Sequence, residues 1–121
     1  MNKTVLIVDD SEFNLELIKA IITVDSDINF IDARDGKEAV DKFEQYNPEL
    51  VILDIMMPNM GGVETLKIMK KINSKIPIII VTAVENDKTK KACFDLGASG
   101  YFIKPLNDNK LSLKVKQLLK L

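Results

Sequence analysis

The chain reads Leu50-Val51-Ile52-Leu53-Asp54 at its centre, four large apolar residues followed by a carboxylate. Two similar runs are Val5-Leu6-Ile7-Val8-Asp9 near the N-terminus and Ile78-Ile79-Ile80-Val81-Thr82 further along. Continuous apolar runs of this length, rich in β-branched residues, are typical of strands buried on both faces of a parallel sheet. The three runs therefore predict the central strands of such a sheet, each with a polar residue at its carboxyl end.

Two further strands and five helices are predicted around these three. Ile28–Ala33 and Tyr101–Ile103 have strand composition, and helix-length stretches with a period near 3.6 residues follow the strands. On the first helix the predicted core stripe is Phe13, Leu17, Ile21 and Val24, which leaves Leu15 exposed. The predicted stripes of the other helices are Ala39, Val40 and Phe43; Val63, Leu66 and Met69; Ala92, Cys93 and Leu96; and Leu111, Val115 and Leu118. Five alternations of strand and helix predict one α/β domain over residues 1–121, a doubly wound parallel sheet with helices on both faces.

The composition excludes several kinds of chemistry. The chain has no histidine, and Cys93 is its only cysteine, so catalysis by Ser-His-Asp or Cys-His groups, histidine metal ligands and internal disulfides are ruled out. Seventeen basic and eighteen acidic residues give a formal charge of −1, which offers no overall attraction for nucleic acid or an anionic membrane. The sequence shows neither a signal peptide nor an apolar run of about eighteen residues that could span a membrane. We therefore expect a cytoplasmic protein whose function rests on carboxylates, hydroxyls, amines and backbone groups.

Polar residues collect at the carboxyl ends of the predicted strands. They are Asp9, Asp10, Asp54, Thr82 and Lys104. Ligand sites in open α/β sheets form at this edge, where parallel strand ends meet. Crowded carboxylates raise one another's pKa unless a cation compensates them, so a bound cation is predicted. Oxygen donors without sulfur or imidazole favour Mg²⁺, or Mn²⁺ in its place.

These residues lie in segments that resemble the receiver domain of two-component response regulators, of the single-domain chemotaxis and sporulation-relay type. The segments are Val8-Asp9-Asp10, Leu53-Asp54-Ile55-Met56-Met57-Pro58-Asn59-Met60, Val81-Thr82-Ala83, Gly97-Ala98-Ser99-Gly100-Tyr101 and Lys104-Pro105. They cover essentially the whole chain. The resemblance implies a flavodoxin-like (βα)5 three-layer sandwich with the strand order 2-1-3-4-5. It also implies a signalling phosphoprotein that catalyses only its own phosphorylation and dephosphorylation.

The resemblance assigns a chemical role to each residue at the strand ends. Asp54 is the phosphoacceptor, and its phosphoryl group comes from a histidine kinase or a histidine phosphotransfer protein. Mg²⁺ is held by Asp10, Asp54 and the backbone carbonyl of Met56, and Asp9 orients its waters. The Lys104 ammonium contacts the phosphoryl oxygens, as do the Thr82 hydroxyl and the Ala83 N–H.

The resemblance also implies a conformational switch. Thr82 moves toward the phosphoryl group, the ring of Tyr101 turns into the vacated space, and the surface of the fourth helix, fifth strand and fifth helix changes. The peptide bond between Lys104 and Pro105 is expected to be cis.

Three positions differ from the residues that are usual in this family. Gly61 stands where the family usually has Asp or Asn as a helix cap, which is expected to loosen the loop after Asp54. Met56 and Val84 are apolar where other members carry polar residues that position an attacking water. We hypothesise that this apolar pair slows self-dephosphorylation.

Partner surfaces and two alternatives remain open. Leu15 is a candidate contact for the phosphodonor, and Lys88, Lys90, Lys91 and Phe94 form a candidate partner surface on the fourth helix. The alternative function is a phosphorylation-independent interaction module with the receiver fold. The chain is either a stand-alone receiver that acts on a downstream protein or the receiver of a longer regulator with a tethered output domain.

Overall fold

The computed structural model describes residues 3–22, 28–57, 60–106 and 109–120, which form alternating strands and helices. The strands are β1 (Lys3–Val8), β2 (Ile28–Ala33), β3 (Leu50–Leu53), β4 (Ile78–Thr82) and β5 (Gly100–Ile103). The helices are α1 (Glu12–Ile22), α2 (Gly36–Tyr46), α3 (Gly62–Ile72), α4 (Asp87–Asp95) and α5 (Lys110–Leu119). All strands pair in parallel in the order β2-β1-β3-β4-β5. The doubly wound fold and its strand order are confirmed.

The three continuous apolar runs occupy the middle of the sheet, as predicted. Every residue of β3 and β4 is buried, as are the last four residues of β1. Val8 of β1 pairs with Leu53 of β3, which in turn pairs with Ile80 of β4. This register brings the carboxyl ends of the three strands side by side.

The two faces of the sheet carry separate hydrophobic clusters. Alternate strand residues point to opposite faces, so Val5 and Ile7 pack with α1 and α5, while Leu6 and Val8 pack with α2, α3 and α4. A fully buried Leu or Ile side chain stabilises the fold by about 1.5–3 kcal/mol. The result is a three-layer sandwich. Among the described residues, no helix has the length and hydropathy needed to cross a membrane.

The predicted core stripe of α1 is wrong at Phe13 and Leu17, whereas Ile21 is half-buried and packs against the core. Leu15, Ile18 and Ile22 are buried, whereas Phe13 is 74% exposed and Leu17 is 39% exposed. Positions 15, 18 and 22 satisfy the helical period as well as the predicted set does, and the helix is apolar on both faces. Period alone therefore does not determine which face meets the sheet. Because Leu15 is buried, it is not a surface contact for a phosphodonor.

The other helices follow their predicted stripes more closely. Seven of those twelve residues are buried and the other five are half-buried. Val24 of the first stripe lies outside the described residues. The end of α4 is also as predicted, because Gly97 has a φ of +102°, a left-handed conformation that glycine adopts without steric cost.

Candidate functional site

Three charged residues from three separate strand ends meet at the carboxyl edge of the sheet. Lys104 Nζ donates hydrogen bonds to Asp9 Oδ2 at 2.7 Å and to Asp54 Oδ2 at 3.0 Å. The side chains of Asp9, Asp54 and Lys104 are 1%, 8% and 19% exposed. An ammonium with two buried carboxylate partners is a strong ion pair because little water competes for it.

Backbone N–H groups orient both carboxylates toward Lys104. Asp9 Oδ1 accepts a hydrogen bond from the Ser11 N–H at 3.0 Å, and Asp54 Oδ1 accepts one from the Met56 N–H at 3.0 Å. In each case the donor lies two residues beyond the acid, where the chain turns away from the strand. The turns after β1 and β3 therefore position the carboxylates of Asp9 and Asp54.

The charge of Lys104 is stabilised by this arrangement. Burial of the ammonium opposes its protonation, but the hydrogen bonds to Asp9 and Asp54 outweigh burial and raise the pKa of Lys104 above its usual value. The ammonium is thus a permanent positive charge beside Asp54 at neutral pH.

The raised pKa of Lys104 predicts a loss of stability at alkaline pH. The free lysine titrates near 10.5, and below that pH the stabilising contribution of the ammonium is fully present. Between the pKa of the unfolded chain and the higher pKa of the folded chain, the folded chain holds a proton that the unfolded chain has released. The stabilising contribution therefore falls as the pH rises through this range and is lost above the folded pKa. We expect the free energy of unfolding, measured by urea titration with circular dichroism, to fall above that pH in the wild type. Lys104→Met should lack this component of the fall, and parallel pH curves for the two proteins would contradict the assignment.

One step behind the predicted metal needs a correction: the three carboxylates are not crowded together without a cation. Asp10 is exposed, and within the described ranges no three acidic side chains are close enough to form a metal-binding cluster. Charge crowding alone does not require a bound metal here, because Lys104 already compensates Asp9 and Asp54. The donor types still fit Mg²⁺, which takes one or two carboxylates, carbonyl oxygens and several waters. Asp10, Asp54 and the Met56 carbonyl supply such oxygens.

The predicted switch residues Thr82 and Tyr101 are linked through the backbone of Val84. Tyr101 donates its hydroxyl hydrogen to the carbonyl oxygen of Val84 at 2.8 Å, and the Val84 N–H donates to Thr82 Oγ1 at 3.4 Å. The Lys104 N–H donates to the Thr82 carbonyl at 2.8 Å. Burial, followed by the charges of Cys93 and Asp54, raises the pKa of Tyr101. Val84 makes these contacts with backbone atoms, so its side chain type gave no signal for this role.

Known proteins are similar to this chain in sequence and in fold. The family model described as "Response regulator receiver domain" matches residues 5–116. The chain belongs to this family. It is 34% identical over 120 residues to the alkaline phosphatase synthesis transcriptional regulatory protein PhoP of Bacillus subtilis, covering 99% of this chain and 50% of that protein. It is 37% identical over 105 residues to the chemotaxis protein CheY of Halobacterium salinarum, covering 87% of each.

A solved structure extends the likeness to three dimensions. The CheX–CheY–BeF3–Mg²⁺ complex from Borrelia burgdorferi contains a chain that matches with a TM-score of 0.88 and 34% identity, covering 97% of this chain and 89% of that one. The receiver domain described here thus spans half the length of PhoP and most of the length of the CheY proteins.

An apolar groove opens beside the charged site of the receiver domain. Its volume is about 300 Å³, and its lining residues are Phe13, Asn14, Leu17, Ile18, Lys104, Pro105 and Leu106. The peptide bond between Lys104 and Pro105 is cis, the isomer expected from the family resemblance. The exposed face of α1 that the stripe prediction had placed in the core forms one wall. The sequence did contain a signal for this groove, because α1 has a second apolar face that the sheet does not cover.

Two consecutive glycines begin α3 directly after the loop that follows Asp54. Gly61 is the N-cap and makes no side-chain cap hydrogen bond, so the cap carboxylate or amide usual in the family is missing. Gly62 packs against the start of that loop: a Cβ atom there would lie 2.5 Å from the Asp54 carbonyl oxygen and closer still to Ile55 Cα. The Gly62 N–H also donates to the Ile55 carbonyl at 3.1 Å. Gly62 therefore sets the path of the chain between the phosphoacceptor candidate and Met56.

Proposed function

We propose that Asp54 accepts a phosphoryl group from a histidine kinase or a histidine phosphotransfer protein, and that residues 1–121 form one receiver domain acting in the cytoplasm. The observation that carries this proposal is the Asp54 carboxylate itself. It is nearly buried, it is oriented by the Met56 N–H, and it is paired with an ammonium. An anionic nucleophile held in this way can approach an anionic phosphoryl group because a fixed positive charge lies beside it.

The proposed transfer forms one bond and breaks another. A carboxylate oxygen of Asp54 bonds to phosphorus while the bond from phosphorus to the imidazole nitrogen of the donor breaks. The leaving nitrogen keeps the electron pair and takes up a proton. The Lys104 ammonium, the Thr82 hydroxyl and the Ala83 N–H bond the phosphoryl oxygens. Beyond this reaction and the hydrolysis of the aspartyl phosphate, the domain catalyses nothing.

Asp9, Asp10, Asp54 and the Met56 carbonyl are proposed to hold Mg²⁺, or Mn²⁺ in its place, with Asp9 orienting metal-bound waters. When bound, the metal supplies further positive charge to the phosphoryl oxygens. Two observations support this proposal: the donors are all oxygens, and the related CheY complex from Borrelia burgdorferi includes Mg²⁺ and BeF3. Lys104 and the metal then share the compensation of Asp54.

The apolar groove is proposed as the docking surface for the phosphodonor protein. Lys104 lines the groove and also contacts Asp54, so a protein seated there has its surface beside the phosphoacceptor. Phe13 and Leu17 replace Leu15 as the apolar contacts on α1. The matching donor surface must itself be apolar at its centre.

The output is proposed to run through Tyr101. Its hydroxyl is held by Val84, the neighbour of the residues that bond the phosphoryl group, so a shift of Thr82 alters the Tyr101 contact. The surface of α4, β5 and α5 then changes for a downstream protein or a tethered output domain. PhoP, which is twice as long as the matched region, shows that a relative of this chain can carry a further segment.

Binding of beryllium fluoride tests the proposed phosphoacceptor, because this ion occupies the place of a phosphoryl group. We expect ¹⁵N amide shifts to change around Asp54, Thr82 and Tyr101 only when beryllium fluoride and Mg²⁺ are both present. Asp54→Asn is the control and should show no such change. Equal shifts in the control, or none in the wild type, would favour the phosphorylation-independent interaction module.

The apolar pair Met56 and Val84 predicts a long-lived aspartyl phosphate. Met56 is 61% exposed at the mouth of the site, and neither side chain can position a water for attack. We expect the Met56→Asn, Val84→Glu double variant to lose its phosphoryl group about tenfold faster. This increase is smaller than the one a general base typically gives, because the introduced amide and carboxylate mainly orient the attacking water. The decay is followed by intact mass after removal of the donor. An unchanged or longer lifetime would show that the pair does not shield the site.

A further inference from the structure

Met56 is the most exposed sulfur-containing residue in the part of the chain that the structure describes. It is 61% exposed, and the other methionines there are buried or half-buried. A thioether that water reaches is also open to dissolved oxidants, which convert it to a sulfoxide. Met56 lies two residues beyond Asp54, and its N–H donates a hydrogen bond to Asp54 Oδ1 at 3.0 Å. The accessible thioether is therefore fixed beside the proposed phosphoacceptor.

The other sulfur atoms of the described residues are shielded. Met69 and Cys93 are fully buried. Met57 packs against the hydrophobic cluster between the sheet and the layer of α2, α3 and α4, and Met60 is half-buried. Burial also raises the pKa of the Cys93 thiol, so little of the reactive thiolate is present at neutral pH. An oxidant that attacks the folded chain should therefore react with Met56 first.

Conversion of Met56 to a sulfoxide would change how the site treats water. A thioether sulfur is a weak hydrogen-bond acceptor, whereas the oxygen of a sulfoxide is strongly polar. The side chain of Asp54 is only 8% exposed, so a water that attacks its phosphoryl group must come from the open mouth where Met56 lies. A sulfoxide oxygen there would accept a hydrogen bond from this water and hold it near the phosphorus atom.

We propose that Met56 is a redox-modification site, and that its oxidation by a peroxide shortens the lifetime of the aspartyl phosphate. The regulatory part rests on the proposed function, because it needs a phosphoryl group on Asp54. The same residue protects the phosphoryl group as a thioether and promotes its loss as a sulfoxide. Enzymatic reduction of the sulfoxide returns the thioether, so the change is reversible.

The oxidation step balances with hydrogen peroxide as the only co-reactant. The lone pair of Met56 Sδ attacks one peroxide oxygen, and the S–O bond forms while the O–O bond breaks. The proton on the transferred oxygen passes to the leaving hydroxide, which departs as water. Sulfur is oxidised by two electrons and the peroxide is reduced by two.

Peptide mapping by mass spectrometry tests the modification site. The folded protein is treated with graded hydrogen peroxide, and fragmentation assigns each added oxygen to a residue. We expect Met56 to gain oxygen at least about fivefold faster than Met57 or Met60, and this difference to disappear in urea, where every methionine is exposed. Equal rates in the folded protein, or faster oxidation of Cys93, would overturn the assignment of the site.

The decay of the phosphoryl adduct tests the regulatory part. The protein is oxidised, freed of peroxide and loaded with acetyl phosphate and Mg²⁺, and its intact mass is followed after removal of the donor. We expect the oxidised wild type to lose its phosphoryl group at least about threefold faster than the reduced protein. Treatment with methionine sulfoxide reductases should restore the longer lifetime. The urea midpoint should not change, because Met56 is exposed.

Two variants locate the effect at Met56. Met56→Leu keeps an apolar side chain of similar size that cannot take up oxygen, so its adduct should decay at the same rate before and after peroxide. Adding Ile72→Met to this variant supplies an oxidisable side chain at the last residue of α3, where the native residue is 42% exposed. This double variant should gain oxygen at residue 72 and still decay at an unchanged rate. A peroxide effect that persists in Met56→Leu would overturn the regulatory role.

Failure of the proposed function gives a different result from failure of this proposal. If the reduced wild type forms no phosphoryl adduct, the proposed function fails and the regulatory part fails with it. The peptide map then still decides whether Met56 is the preferred site of oxidation. If the adduct forms and Met56 gains oxygen, a decay that is unchanged or slower in the oxidised protein would overturn the regulatory part alone.

Discussion

Gly62→Ala should lower the free energy of unfolding by about 3 kcal/mol, the upper part of the range for overpacking a tight site, because the atoms in its way cannot move aside. The added methyl group would meet backbone, namely the Asp54 carbonyl oxygen at 2.5 Å and Ile55 Cα. A flexible side chain could rotate away, but the backbone at the end of β3 is held by its hydrogen bond to β1, from Asp54 N to the Val8 carbonyl. Urea unfolding followed by circular dichroism measures the change.

The neighbouring glycine provides a matched control for this variant. At Gly61 an added Cβ would have no atom within 4 Å, and its φ of −63° suits any residue. Gly61→Ala should therefore change the free energy of unfolding by less than about 1 kcal/mol, because the gain from restricting the unfolded chain is opposed by the poorer fit of alanine at an N-cap. Equal destabilisation by the two variants would show that Gly62 has no special packing role.

Gly62→Ala should also impair the site in the molecules that remain folded. The displaced backbone carries the N–H that orients Asp54 and the Met56 carbonyl proposed as a metal ligand. Phosphorylation by acetyl phosphate, measured under conditions where the variant is folded, should slow more than in Gly61→Ala. A normal rate in folded Gly62→Ala would limit the role of this glycine to stability.

Lys104→Met should have the second large effect, on both stability and phosphorylation. Removing the ammonium leaves the carboxylates of Asp9 and Asp54 without their shared partner. Breaking a fully buried ion pair costs about 3–5 kcal/mol, and we expect about 2–3 here because the pair retains some access to water. Phosphorylation by acetyl phosphate should slow by about 100-fold, the loss typical of removing one group that stabilises a developing anion.

A surface lysine is the control for Lys104. Lys67→Met removes one positive charge from an exposed position on α3 and should change stability by less than about 0.5 kcal/mol. Its phosphorylation rate should equal that of the wild type. If Lys104→Met phosphorylates normally, the ammonium has a structural role only, and the charge at Asp54 must be compensated by other groups.

The strands were predictable because their signal is contained in short segments. The continuous apolar runs of β1, β3 and β4 demand burial on both faces, and only the centre of a parallel sheet offers it. The orientation of α1 was not predictable, because its two apolar faces satisfy the same period. The choice between them depends on packing against β1 and α5, which is a tertiary property.

The parts of the site that follow from the strand topology alone were predictable. Asp9, Asp54 and Lys104 follow strands whose ends must lie at one edge, so their approach follows from the fold. The two direct hydrogen bonds from Lys104 to these carboxylates were not predictable, because they depend on the reach and direction of its side chain. The roles of Gly62 and Val84 were hidden for another reason: both act through backbone atoms, which leave no pattern in the side chains.

The intact mass of the protein after incubation with acetyl phosphate shows directly whether Asp54 is the phosphoacceptor. We expect a single phosphoryl adduct that forms in the presence of Mg²⁺, does not form without it, and is absent from Asp54→Asn. An adduct that persists in Asp54→Asn would place the phosphoacceptor elsewhere. The lack of any adduct in the wild type, with Mg²⁺ present, would contradict the proposed phosphoacceptor function.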